Sequence, residues 1–421
     1  MKKEEFYKEA IPGVTGALEG VKVLETTHFL AGPTTGACLA DQGAEVIKVE
    51  MPRVGDSVRY AYDPKVDLRN RLNRSDLPAM EAGMTFQAAN RNKKGITLDL
   101  TRPEGPVIFK ELVKHMDVVV QDFKPGTMDG WGLGYPDIAK LKPDIIYTSI
   151  SGYGQYGPYS AKPGYDSVGQ ALSGLMSVTG FADGPPLKVG MPIVDIITGW
   201  QGAMGTMAAL VARGKTGRGQ HVDANILDAS LYASYFYIMS AGTGYIPERA
   251  GNRYAFRTVG NLFACKDGEV LMLVILDSHW KKLCQLMGRE DLLDDPRCVD
   301  GATRSANCDF VEGVVTDWVE DKTVAEVLTI MDEAQLVACP IYDYGQVIKD
   351  EHILHREMVT EVEHPLIGRL PLYGVAPKLS VTPGKVRFPA PLLGQHNEEV
   401  YGTYLGYDQK RLAELEKQGI I

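Results

Sequence analysis

The sequence predicts an α/β protein with a large Rossmann-like domain built on a parallel sheet and a smaller α+β domain. Three observations carry this expectation. Residues 21–25 and 45–50 are apolar enough for strands and flank a helix-compatible stretch, 33–42, opened by Pro33 at its first position. A β-α-β unit of this kind implies parallel strands covered by helices. A glycine-rich stretch over 149–180 follows a second buried-strand pattern at 144–150, and near Arg249 to Asn252 the composition changes.

The totals set the outer bounds. With 421 residues the chain is long enough for two or more domains with sizeable cores. A net charge of −10 argues against a nucleic-acid partner, which requires a basic face. No apolar run reaches the length of a membrane span and Met1 to Ala10 is charged, so a cytoplasmic protein without membrane contact is expected. The six cysteines show no C-x-x-C and the eight histidines no H-x-x-x-H, so neither a disulfide frame nor a metal site is expected.

In chain order, Gly32-Pro-Thr-Thr-Gly36 closes the first β-α turn without the G-x-G-x-x-G spacing that lets backbone approach a pyrophosphate, so no nicotinamide cofactor is expected. Residues 52–84 are charged and turn-rich and read as a surface excursion at a pocket mouth. Asn90-Arg-Asn-Lys-Lys94 sets three cations before a strand at 95–100, open to two readings, a solvated loop or an anion site. A helix over 105–115, a strand over 118–121 and a turn at Asp122-Phe-Lys-Pro-Gly126 follow.

Glycines at 152, 154, 157, 164, 169, 174 and 180 break the central stretch into loops before a helical pattern over 167–178. Asp166 stands where loop meets helix. A carboxylate there is either an N-cap or a nucleophile in a pocket walled by free backbone N–H groups. After Asp195 a helix is expected over 197–212, with Gly199, Gly202 and Gly205 suited to close packing on another helix. Gly214-Lys-Thr216 imitates the tail of a P-loop, but Ala209 stands where glycine is required and the segment follows a helix. A strand over 220–224 and a tyrosine-bearing helix over 228–240 close this part. The second region opens with a hairpin, 263–267 and 269–276, turned at Lys266-Asp-Gly268, then helices over 280–287, 306–318 and 323–333. The chain then returns through 342–349 to a proline-rich tail ending at 392–402, expected to pack on the first domain. The resulting division is 1–225 for the first part of the large domain, 226–335 for a linker helix and the small domain, and 336–421 for the return segment.

Ser151-Gly-Tyr-Gly-Gln-Tyr-Gly-Pro158, Pro163-Gly-Tyr-Asp166 and Ala171-Leu-Ser-Gly-Leu175 resemble the class III coenzyme A-transferases, the family of formyl-CoA and carnitine CoA-transferases. The resemblance continues at 18–24, Ala31-Gly-Pro33, 43–50, 90–94, 213–220 and Leu393-Gly-Gln-His-Asn-Glu398. It implies two subunits threaded as interlocked rings, in a homodimer or a heteromer with a related subunit. Coenzyme A and acyl-CoA are then substrates, with no tightly bound cofactor, and a carboxylic acid is the second substrate. Asp166 is implied as the nucleophile that forms an aspartyl anhydride and then an aspartyl-CoA thioester. Backbone near Gly152 to Gly154, or a loop of the small domain, would stabilise each oxyanion, and Tyr153 would stand near the acyl group.

Coenzyme A would be held by His28, Leu30 and Ala31, by Arg91 with Lys93 or Lys94 at its phosphates, and by the turn Asp122, Phe123 and Lys124. Departures from the pattern are equally specific. Formyl-CoA transferases carry glutamine at Leu30 and arginine at Gly130, and many relatives carry asparagine at Asp122. The 2-methylacyl-CoA racemases share much of the pattern but show Gly-His-Asp where this chain has Gly164-Tyr165-Asp166, which favours transfer. A non-catalytic acyl-CoA-binding subunit is the other reading.

Overall fold

The computed structural model describes residues 1–254 and 258–421. The chain divides into two compact units, the first comprising Met1–Ser173, Gly190–Tyr235 and Glu351–Ile421, the second Gly174–Val189 and Phe236–Asp350.

The first unit is built on a six-stranded parallel sheet of β1 (Lys22–Thr26), β2 (Glu45–Glu50), β3 (Lys93–Thr97), β4 (Val118–Gln121), β5 (Ile146–Ser151) and β6 (Gln220–Asn225), in the order β3-β2-β1-β4-β5-β6. Strands buried on both faces read as continuous apolar runs, and alternate side chains divide between two cores. Val23, Val46, Val118 and Ile146 share a cluster with Leu39 of helix α1 (Ala31–Asp41). Leu24, Ile47, Val119 and Tyr147 share another with Phe109 and Leu112 of α2 (Glu104–Val113) and with Val400, Leu412 and Leu415 of the tail.

Three further helices shape the sheet's upper edge: α3 (Asp166–Leu172), α4 (Ile193–Thr216) and α5 (Ile226–Ala233). The helical pattern over 167–178 breaks at Gly174, whose φ of 87° is left-handed. Likewise the pattern over 228–240 breaks at Tyr235, where φ is 53°. The expected small-residue stripe on α4 packs closely. A Cβ on Gly199 would stand 2.5 Å from Cβ of Thr34 in α1, and one on Gly202 2.6 Å from Thr35 Oγ1.

Residues 52–84 differ from the expected surface excursion. Arg59 is fully buried against Phe86 and pairs with Glu50 at 2.7 Å and Glu81 at 3.2 Å. Charge pairing makes this burial tolerable, and composition alone does not reveal it. At the outer edge of the sheet, β3 has no further strand beside it. Instead Nδ1 of His396 accepts the Gly95 N–H at 3.0 Å and Oδ1 of Asn397 accepts the Thr97 N–H at 2.9 Å. The Leu393-Gly-Gln-His-Asn397 motif therefore closes an otherwise bare strand edge.

The second unit holds an antiparallel sheet of β7 (Gly260–Cys265), β8 (Gly268–Leu273) and β9 (Val337–Pro340). Trp280, Leu283, Val311, Val315, Val327 and Met331 from the helices Asp277–Met287, Cys308–Val319 and Val324–Glu333 form its core with Val270 and Met272. The strand β9 was absent from the sequence-based expectation. So was the hairpin of β10 (Val359–His364) and β11 (Gly368–Tyr373), in the return segment of the first unit.

Candidate active site

The strand order reverses between β1 and β4, and a cavity of about 530 Å³ opens there at the carboxyl ends of the strands. In open parallel sheets this switch point is where ligands bind, because the loops after adjacent strands diverge. His28, Leu30 and Ala31 come to it from the end of β1, Asp122, Phe123 and Lys124 from β4, and Gly152 from β5. These seven residues singled out in the sequence are thus brought together.

His28 and Asp122 join the two sides of the switch point. The His28 N–H donates to Oδ1 and Oδ2 of Asp122 at 3.0 and 2.9 Å, and the imidazole Nδ1 lies 3.4 Å from Oδ1. Burial opposes a charge on His28, but the Asp122 hydrogen bond and charge outweigh it, so its pKa is raised. Burial also raises Asp122, against the opposing pull of His28. Phe29 follows with φ of 60°, held by its N–H donating to Asp56 Oδ1 at 3.2 Å.

The cations at 90–94 have a different place from the one expected. Arg91 is buried and pairs with Asp41 at 2.6 Å; Lys93 is buried and pairs with Glu25 at 2.8 Å. Burial lowers the Lys93 pKa to about 8. Lys94 is shared by Glu45 and Glu399, each at 2.7 Å. None of the three lines the cavity. Their charges are matched inside the first unit, a set of internal ion pairs set back from the cavity wall. The basic side chains on the cavity wall are instead His28, Lys124 and Lys162.

Asp166 lies one layer deeper than expected. It is buried, and it is absent from the cavity wall. It does not cap its own helix; it caps α4, with Oδ1 accepting the Val194 N–H at 2.8 Å and the Asp195 N–H at 3.4 Å. Its Oδ2 accepts the Gln170 amide at 2.6 Å. The carboxylates that do line the cavity are Asp122, engaged by His28, and Asp195, in the first turn of α4. Among the described residues no side chain or backbone donor hydrogen-bonds its carboxyl. Burial, then the charges of Asp166 and Asp122, push Asp195 up to about 7. The sequence reading passed over it as the lead-in to a helix. The signal that drew attention to Asp166, a carboxylate where a glycine-rich loop meets a helix, is present at Asp195 as well.

Gly152 and Gly164 are pressed together, since a Cβ on Gly152 would stand 2.8 Å from the Gly164 Cα. Tyr153 is absent from the cavity wall and packs edge-on against Tyr159, with centroids 5.8 Å apart. The Gly154 N–H donates to Ser151 Oγ at 2.9 Å, and Gly152 lines the cavity wall.

A doubly wound sheet with a carboxylate-bearing cavity at its switch point defines a class of ligand-binding α/β proteins, and sequence comparison narrows it. The profile of CoA-transferase family III matches residues 18–397, and the chain belongs to that family of enzymes. It is 36% identical over 406 residues to the succinyl-CoA:D-citramalate CoA-transferase of Chloroflexus aurantiacus, covering 96% of this chain and 98% of that one. It is 32% identical to the human succinyl-CoA:glutarate CoA-transferase, covering 96% and 90% of the two chains. The crystal structure of a CAIB/BAIF family protein from Brucella suis superposes with a TM-score of 0.80 at 30% identity, covering 93% of this chain and 100% of that one.

Proposed function

We propose that this enzyme moves coenzyme A from a dicarboxylic acyl-CoA, of which succinyl-CoA is the type, to a second carboxylic acid, with Asp195 as the covalent carrier. The observation that carries the reading is the unpartnered Asp195 carboxyl on the cavity wall, beside a buried Asp166 whose oxygens are engaged. A carboxylate free of hydrogen bonds and raised in basicity is the better nucleophile. In this reading Asp166, expected from the sequence as the nucleophile, acts through the turn it caps, which presents Asp195.

An Asp195 oxygen attacks the thioester carbonyl; the C–S bond breaks, and the coenzyme A thiolate leaves an acyl-aspartyl anhydride. The thiolate then attacks Cγ of Asp195, the anhydride C–O bond breaks, and the donor acid departs as a carboxylate. The acceptor carboxylate attacks this aspartyl thioester and expels the thiolate, which attacks the new acyl group and restores the Asp195 carboxylate. One thioester replaces another, so no ATP is consumed. Lys124 and Lys162 place positive charge on the rim for anionic substrates. The succinyl-CoA named for the two relatives supports the donor class.

The test is hydroxylamine trapping of enzyme loaded with succinyl-CoA, followed by tryptic peptide mass spectrometry. Cleavage after Lys188 separates Asp166 from Asp195. A hydroxamate at Asp195, retained in Asp166→Asn and lost in Asp195→Ala, supports the assignment. Labelling at Asp166 overturns it, and no adduct together with proton exchange at the acyl α-carbon assigns racemisation instead.

A further inference from the structure

The chain carries a net charge of −10, yet a second cavity in the first unit, of about 310 Å³, is basic. It shares no lining residue with the switch-point cavity. Lys2, Lys3, Arg356 and Lys378 line it with one carboxylate among the described residues, Glu357. Lys3 donates to Glu357 at 2.6 Å and occupies it. Among the described residues no hydrogen bond or ion pair engages the side chains of Lys2, Arg356 or Lys378. Burial lowers the Lys378 pKa; Glu357 opposes this, and the charges of Arg356 and Lys3 add to it. Several cations drawn from distant parts of the sequence thus stand around one carboxylate that Lys3 already occupies, an arrangement that a bound anion relieves.

We propose that this cavity binds a small phosphate-bearing anion, apart from the acyl-transfer site. Arginine offers two parallel donors to a phosphate and lysine a point charge, and here one Arg stands with several Lys. His352 and His355 add donors on the same wall, and the adjoining rings of Phe6 and Tyr7, with centroids 4.9 Å apart, supply an apolar side. A phosphate ester, with several charged oxygens and an organic body, matches that combination better than a simple carboxylate does.

The experiment is calorimetric titration of the full-length enzyme, saturated with coenzyme A, using pyrophosphate at low ionic strength and citrate as the carboxylate comparison. One pyrophosphate site per chain is expected. Arg356→Gln and Lys378→Gln should each weaken it about tenfold or more, with the transfer rate unchanged. Glu357→Gln removes the one carboxylate among the described residues lining the cavity and should tighten binding, a gain that a misfolded variant would not produce. No pyrophosphate binding to the wild type, equal binding in the Arg356 and Lys378 variants, or a preference for citrate each overturns the proposal.

Discussion

Asp166 caps the helix that presents Asp195: its Oδ1 accepts the N–H of Val194 at 2.8 Å and that of Asp195 itself at 3.4 Å. One carboxylate thereby fixes the backbone of the other and raises its pKa. Asp166→Asn keeps an oxygen for the cap but removes the charge. Its ascending pH–rate limb, set by Asp195 near 7 in the wild type, should move to lower pH. Asp166→Ala should also lose roughly 1–2 kcal/mol of stability, as measured by urea unfolding. An unmoved limb in Asp166→Asn would separate the two carboxylates.

Asp195→Asn should lower turnover by roughly 10⁴-fold or more, as loss of a nucleophile does, while the protein becomes more stable at alkaline pH. The folded state raises the Asp195 pKa, so it holds a proton that the unfolded chain has released. That contribution to stability is present at low pH and is lost as pH rises toward about 7. The melting temperature of Asp195→Asn should therefore exceed that of wild type at pH 8, with the gap narrowing below pH 7. A variant less stable at pH 8 would contradict this.

Gly152→Ala places a methyl group 2.8 Å from the Gly164 backbone, and neither loop can yield by turning a side chain. A destabilisation of about 1–3 kcal/mol is expected, with kcat/KM lowered because both loops border the cavity. Wild-type kinetics in this variant would show that the loops part easily.

The outer face of α4 is apolar where water would favour polar groups: Trp200, Met204 and Val211 are 53%, 62% and 62% exposed. The expected interlocked homodimer would cover such a face. Sedimentation of Trp200→Glu with Met204→Glu should show dissociation or loss of the folded dimer; an unchanged dimer would place the interface elsewhere.

The parallel sheet was legible because Val23, Leu24, Val46 and Ile47 form apolar runs bounded by turns, which periodicity reads directly. Seven expected residues reach the cavity because they follow the carboxyl ends of adjacent strands, a rule of topology rather than of contact. Pairing was not legible. Nothing in the order of residues tells that Arg91 meets Asp41 or Lys93 meets Glu25, so the cations read as free when they are matched at 2.6 and 2.8 Å. The choice between two aspartates, each at a helix start, likewise depends on which carboxyl finds donors, and Val194 is 28 residues from Asp166.

The side chains that close the edge of β3 come from His396 and Asn397, some 300 residues later in the chain. During synthesis at about 5–20 residues per second, that edge waits on the order of 15–60 s for its cover. For that interval the nascent protein exposes unpaired strand N–H groups to its neighbours, so a segment made some 300 residues later decides whether this sheet edge stays solitary or seeds aggregation.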